Sequence, residues 1–225
     1  MKKIFKPTFA LLLAVCTACA QNNDRLVLVF DEEQDCDKWM AYLREDLEMS
    51  VADIQVSNDQ NEYKYTVIFE DAPTTIGESA FKRDSFTSVT IPNSVTVIGE
   101  RAFEGCSLTS VTIPNSVTVI AENAFADCSS LTSVTIPNSV KKIGDYAFAV
   151  CTSLTSVSIP NSVTEIGFGA FENCRSLTSV SIPNSVKEIG DDAFSGCTSL
   201  TSVSLPGGVQ LGSGAFPEHT KIEYR

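Results

Sequence analysis

The sequence predicts an α/β solenoid in which coils of 22 or 23 residues stack to form a parallel β-sheet along one face. Two recurring patterns predict it. The tripeptide Ile-Pro-Asn begins at Ile91, Ile113, Ile136, Ile159 and Ile182. The dipeptide Ala-Phe ends at Phe81, Phe103, Phe125, Phe148, Phe171, Phe194 and Phe216. A two-layer globular fold has no need of one short pattern at such regular steps, whereas a solenoid needs it once per coil.

Each repeat opens with a short strand. Between Ser156 and Ile159 polar and apolar residues alternate, so Val157 and Ile159 are expected to point inward while the serines face outward. Pro160 has a fixed φ and no backbone N–H, so the chain leaves the sheet directly after the strand. The sequence therefore predicts one parallel strand per coil.

The rest of the repeat closes the coil. Val163 and Ile166 are expected to return to the interior, and Gly167 suits a tight or positive-φ bend. Ala170 and Phe171 are expected to begin a short helical turn with the Phe ring in the core, which supplies the α part of the predicted class. Such a coil cannot bury its own apolar face, so its stability must come from its neighbours.

Residues 21–72 precede the repeats and predict a small α+β cap on the first coil. Segments 25–30 and 63–69 have the composition and alternation of strands. Between them, residues 36–47 carry apolar side chains at helical spacing, with Trp39 as the expected core anchor. The predicted organisation is thus an export signal at 1–20, the cap at 21–72 and the solenoid at 73–225.

The export signal consists of three lysines followed by an apolar stretch that is too short to span a bilayer. Two processing routes are open: lipid modification of Cys19 as the mature N-terminus, or cleavage after Ala20. The sequence predicts an exported protein, either a lipoprotein of the outer membrane or cell surface or a periplasmic or secreted protein. Contact with a membrane is expected only through an N-terminal lipid.

Charge and composition exclude several classes of protein. The chain has 28 Asp+Glu against 16 Lys+Arg, a formal net charge of -12, so the clustered cations that nucleic-acid binding requires are missing. Hydrophobic residues make up 43% of the chain, which is too many for a disordered protein. We therefore expect a folded protein with no nucleic-acid partner.

The full repeat reads L-x-x-V-x-I-P-x-S-V-x-x-I-G-x-x-A-F-x-x-C, as in the copy from Leu154 to Cys174. This pattern closely resembles the BspA-like class of leucine-rich repeat, which occurs in surface and secreted proteins of bacteria and some protists. The resemblance covers about two thirds of the chain. It implies a curved, right-handed leucine-rich repeat array and relatives that are often adhesins or binding modules.

Five cysteines each follow the repeat Phe by three residues, so they form a column: Cys106, Cys128, Cys151, Cys174 and Cys197. Side chains that project in parallel from coils about 4.8 Å apart suit disulfides poorly, and ligands on a straight line cannot surround a metal ion. We expect buried free thiols and no metal site. Asp84 and His219 replace Cys at the two ends, where the column is expected to meet water or a cap.

The outward strand positions form the candidate binding surface. We expect them to bind a host or bacterial surface protein or glycan in an adhesion-type role. Two alternatives stay open: a structural spacer, or a binder of ordered surfaces without a specific partner. The candidate residues are Ser110, Thr112, Ser133, Thr135, Ser156, Ser158, Ser179 and Ser181.

An enzyme is the least favoured class. His219 is the only histidine, and no nucleophile or orienting carboxylate stands at a recognisable spacing from it. The chain also has no Gly-rich phosphate loop. We therefore expect no catalysis and no cofactor, while the sequence leaves the oligomeric state open.

Overall fold

The computed structural model of the protein describes residues 25–30, 51–59, 62–69 and 72–225. The predicted signal at 1–20, with Cys19, and the predicted helix at 36–47 lie outside the described residues. The lipid-modification site and the α part of the cap therefore stay predictions.

Each coil contributes one short strand to a first face, called the first sheet below. Its strands pair in parallel and in register within three groups, and the pairing is interrupted between one group and the next. Val111 is 3% exposed, whereas Ser110 and Thr112 on either side of it are exposed, as the alternation predicted. The strands of this face are β5 (Ser88–Thr90), β7 (Ser110–Thr112), β9 (Ser133–Thr135), β11 (Ser156–Ser158), β13 (Ser179–Ser181), β15 (Ser202–Leu205) and β17 (Lys221–Tyr224).

A second parallel sheet, not predicted from the sequence, forms where each coil returns to the interior. Its strands have two residues, an outer one and an inner one such as Ile143, which is fully buried. They are β4 (Thr75–Ile76), β6 (Val97–Ile98), β8 (Val119–Ile120), β10 (Lys142–Ile143), β12 (Glu165–Ile166), β14 (Glu188–Ile189) and β16 (Gln210–Leu211). The described repeats therefore form a β-solenoid of about seven coils.

Three antiparallel strands extend the first sheet at its N-terminal edge: β1 (Arg25–Phe30), β2 (Val51–Asp59) and β3 (Glu62–Phe69). β1 pairs with β5 so that Leu28 lies opposite Val89. Leu26 and Leu28 are each 1% exposed, and β1 covers backbone groups that an open sheet edge would leave unpaired. The strands expected at 25–30 and 63–69 are confirmed, while β2 was not predicted.

The core is a column of stacked Phe rings. Phe125, Phe148 and Phe171 are fully buried. The ring centroids of Phe125 and Phe148 are 5.3 Å apart with an interplanar angle of 1°, and those of Phe148 and Phe171 are 5.4 Å apart at 7°. The stack continues to Phe216, which is only partly buried. Each ring therefore buries its faces against the coils before and after it.

The prediction of a short helical turn at Ala170 and Phe171 is wrong: the described residues contain strands and turns but no helix. The backbone N–H groups of Gly169, Phe171 and Asn173 donate to carbonyls of the next coil, at 2.9, 2.8 and 2.7 Å. Gly169 and Asn173 take φ values of 55° and 58° to permit this. Because every second N–H bonds to a neighbouring coil, the i→i+4 ladder of a helix cannot form. The α/β class is thus not observed in the described residues.

Glycine recurs before the turn because neighbouring coils approach closely there, not because φ is positive. A Cβ on Gly190 would lie 2.7 Å from the backbone nitrogen of Phe168 in the preceding coil. At Gly77, in the first coil, a Cβ would have nothing within 4 Å. Ala121 is the one residue other than glycine at this position of the repeat. The expectation of a positive-φ bend is therefore replaced by a close contact between coils.

This contact predicts that Gly190→Ala destabilises the protein. The added methyl must push apart two packed backbones, which typically costs about 1–3 kcal/mol. Gly77→Ala is the matched control, since its methyl enters open space, and the free energy of unfolding should change little. Urea titration measures both, and equal effects at the two positions would contradict the close contact.

Candidate functional site

The eight predicted site residues all lie exposed on the first sheet. The register places like residues side by side, with Ser110 beside Ser133 and Thr112 beside Thr135. None of the eight hydroxyls hydrogen-bonds to another residue that the structure describes. Their expected placement is observed, and their role in binding stays a prediction. The eight are Ser110, Thr112, Ser133, Thr135, Ser156, Ser158, Ser179 and Ser181.

A neighbouring row of threonines, directly before the strands, joins one coil to the next. Thr109 Oγ1 donates to the carbonyl of Thr87 at 3.2 Å, and Thr132 Oγ1 donates to the carbonyl of Thr109 at 3.0 Å. Thr155 and Thr178 repeat this contact at 3.4 and 3.1 Å. These hydroxyls stabilise the stack, whereas the eight strand hydroxyls make no such contact between described coils.

A groove of about 640 Å³ crosses the array where β9, β11 and β13 end. Each coil lines it with one hydroxyl and one amide, and Ile and Pro side chains lie between them. The hydroxyls belong to Thr135, Ser158 and Ser181, and the amides belong to Asn138, Asn161 and Asn184. Polar groups at fixed positions among apolar contacts are typical of a ligand-binding cleft.

The three asparagines were missed as candidate residues. In the sequence, the recurring Ile-Pro-Asn indicated only the repeat length. The available signal was a polar residue of one type directly after the strand-ending proline in successive coils, and all three asparagines prove to be exposed. They follow the strand ends and so enlarge the candidate binding surface beyond the predicted strand residues.

Arg225 lies at one end of the groove and is the charged residue of its lining. Its Nε donates to Oδ1 of Asn184 at 3.2 Å, and Nη1 donates to the carbonyl and Oγ of Ser204 at 2.9 and 3.0 Å. Nη2 donates to the carbonyl of Ile182. The guanidinium is thus held in a fixed orientation across three coils.

The five column cysteines are buried free thiols, as expected. Each donates a hydrogen bond to a Phe carbonyl of the preceding coil, such as Cys128 Sγ to the carbonyl of Phe103 at 3.1 Å. Burial is the main effect that raises the pKa of Cys128, to about 12. The Cys128 thiol is therefore protonated at neutral pH and is a poor nucleophile. Cys36 lies outside the described residues.

The two ends of the cysteine column differ. His219 is exposed to solvent, whereas Asp84 is only partly exposed and its Oδ2 is buried without a hydrogen bond from any described residue. Burial raises the pKa of Asp84 from 3.8 to about 6. The first coil therefore holds a carboxyl group in an environment that disfavours its charge.

Among the described residues, no group of three or more His, Cys, Asp or Glu side chains is placed to hold a metal ion. Over the same ranges, no helix has the length and apolar composition needed to cross a membrane.

A family model described as BspA type Leucine rich repeat region matches residues 74–180 and 118–224, with six copies. The chain belongs to this family. The resemblance seen in the repeat pattern is thereby confirmed. Leucine-rich repeat proteins of this type are commonly surface proteins, and their fold typically serves as a binding module without catalysis.

Two solved leucine-rich repeat structures are similar to the chain. The T. pallidum protein TpLRR is 36% identical over 67% of this chain and 75% of its own, with a TM-score of 0.62. A protein from Bacteroides ovatus ATCC 8483 is 30% identical over 68% of this chain, with a TM-score of 0.57. The match covers 47% of the Bacteroides ovatus chain, about half its length. No curated protein matches the chain.

The buried carboxyl of this leucine-rich repeat array predicts a pH effect at Asp84. Its pKa is about 6 in the folded state against 3.8 ordinarily, so the folded protein holds the proton more tightly than the unfolded chain. The contribution of Asp84 to stability should therefore fall as pH rises from about 4 to about 6. Asp84→Asn, which cannot ionise, should lack that loss and gain stability relative to the native chain across this window. Urea titrations at several pH values measure the difference, and parallel pH profiles would contradict it.

Proposed function

We propose that this chain is an exported, surface-associated leucine-rich repeat protein that binds a protein or glycan on the outer face of its first sheet. It acts as an adhesion-type module without catalysis, and its partner is a host or bacterial surface component. The observation that carries the proposal is the groove of about 640 Å³, in which each of three coils presents a hydroxyl, an Ile side chain and an amide in the same order.

The spacing of these groups supports a repeating ligand. Adjacent parallel strands lie about 4.8 Å apart, so the groove offers a hydroxyl and an amide at that interval. Glycans and extended polypeptides likewise carry hydrogen-bonding groups at regular intervals between apolar surfaces. Short Ser, Thr and Asn side chains bind adaptably and lose little conformational entropy when they are fixed.

Arg225 supplies an anchor that the strand hydroxyls lack. Arg is enriched among the residues that dominate binding energy, and a planar guanidinium can also stack on a sugar or aromatic ring. Its contacts with Ser204, Asn184 and Ile182 hold it before any ligand arrives. The groove therefore combines adaptable Ser, Thr and Asn side chains with one Arg side chain at its end that is already held in place.

The proposed location has separate support. The signal at 1–20 predicts export, and leucine-rich repeat proteins of this type are commonly surface proteins. We propose that Cys19 carries the lipid, with cleavage after Ala20 as the alternative.

The test uses the full chain, immobilised and exposed to a glycan array and to host and bacterial surface extracts. We expect saturable binding of one component. The double variant Ser158→Lys with Ser181→Lys should weaken it at least about tenfold, because two bulky charges enter the groove at a cost above ~1.4 kcal/mol. Proteolysis of intact cells should remove the native protein if it faces outward.

The matched control is Val119→Lys with Gln210→Lys, which adds the same charge to the second sheet. Lys142 already occupies the equivalent position there, so the fold accepts lysine. If the native chain binds no component of the array or the extracts, that result would support the spacer alternative. Equal loss of binding in both double variants would place the contact away from the groove. Turnover of a glycan, peptide or ester would contradict a purely binding role.

A further inference from the structure

Two aromatic rings stand out on the turns that follow the second-sheet strands. Tyr146 and Phe168 lie in consecutive coils with ring centroids 5.0 Å apart and planes at 76°. Both are partly exposed, and neither packs against the hydrophobic core. The other coils carry Glu, Asp or Ser where Phe168 stands. This pair therefore departs from the repeat at a place where the fold does not require an apolar side chain.

The backbone conformation at Tyr146 is a second reason to regard this residue as an exception to the repeat pattern. Its φ is 54°, a conformation that bulky side chains rarely adopt and that costs on the order of 1–2 kcal/mol. The equivalent residue is Asn123 in the preceding coil and Gly169 in the following one. A Cβ on Gly169 would lie 2.5 Å from Cε1 of the tyrosine ring, so the ring occupies the space that this glycine leaves. Folding alone would be better served by Asn or Gly at position 146.

Carboxylates surround the aromatic pair. Partial desolvation, and then the charges of nearby acids, raise the pKa of the Tyr146 phenol. None of the patch carboxylates forms an ion pair with a residue that the structure describes. The nearby cation Lys142 is hydrogen-bonded to Glu165. We call this surface the acidic–aromatic patch: Tyr146, Phe168, Glu122, Asp145, Glu172, Asp191 and Asp192.

Two of these carboxylates are fixed by the backbone of the next coil. Asp145 Oδ1 accepts a hydrogen bond from the N–H of Phe168 at 3.0 Å, and Asp191 Oδ1 accepts one from the N–H of Ser213 at 2.7 Å. The negative charges therefore have defined positions on either side of Phe168. A ligand does not have to order them.

We propose that the acidic–aromatic patch is a second binding surface, separate from the groove, that takes an Arg- or Lys-rich segment of a partner protein. A cation placed over the face of an aromatic ring is attracted by the ring quadrupole, and adjacent carboxylates add hydrogen-bonded ion pairs. The charge of the patch is complementary to such a segment.

The extent of the patch favours a polypeptide over a small cation. Its carboxylates run from the coil of Glu122 to the coil of Asp191, three steps of about 4.8 Å, or roughly 14 Å. An extended chain covers that distance with about four residues at ~3.3 Å each. One small cation could contact the aromatic pair but would leave most of the carboxylates without a partner.

The test measures binding of a labelled oligoarginine peptide to the full chain by fluorescence anisotropy at about 0.15 M salt. We expect Phe168→Ser, which introduces the residue that the last coil has at this position, to weaken binding about fivefold or more without changing net charge. Asp192→Asn should weaken peptide binding more than Glu218→Gln does. Glu218→Gln is the control, because it removes an equal charge outside the patch.

Tyr146→Asn separates a binding role from a structural one. Asn accepts positive φ more readily than Tyr, so the variant should be as stable as the native chain or more stable in urea, while binding falls about fivefold or more. Unchanged affinity in Phe168→Ser and Tyr146→Asn would show attraction by overall charge alone and overturn the proposal. Full competition by tetramethylammonium would overturn the polypeptide assignment in favour of a small cation.

Discussion

The whole structure depends on contact between successive coils. A single coil places its Phe, Val and Ile side chains on surfaces that only the next coil can cover, and Phe148 is buried because Phe125 and Phe171 lie on its two faces. Backbone hydrogen bonds, threonine hydroxyls and cysteine thiols all join one coil to its neighbour. Stability is therefore a sum of interfaces between coils, and β1 supplies one more at the N-terminal edge.

This constraint separates the positions that the fold fixes from those that it leaves free. The inward residues and the close-packed glycines cannot change without disturbing two coils. The outward residues can change without disturbing two coils, so one coil can differ from the next at these positions. The groove uses positions that stay alike in three coils, which suits a repeating ligand. The acidic–aromatic patch uses positions where Tyr146 and Phe168 break the pattern, which suits a more specific partner.

The sequence predicted the strand face, the buried Phe rings and the free thiols because each rests on local alternation or on the repeat length. It missed what depends on contacts between coils. Two-residue strands such as β12 are too short to show a period, and the turn at Ala170 looked helical because its hydrogen bonds to the next coil are invisible in one repeat. The placement of Arg225 beside Asn184, 41 residues earlier, depends on how the last strand packs.

The most direct test of this account compares Phe148→Ala with Phe216→Ala in denaturant titrations. Phe148 lies between two rings and is fully buried, whereas Phe216 is partly exposed and stacks on one ring among the described residues, that of Phe194. Loss of burial plus a cavity should cost about 3–5 kcal/mol at Phe148 and clearly less at Phe216. Equal losses at the two positions would contradict an array held together by its neighbouring coils.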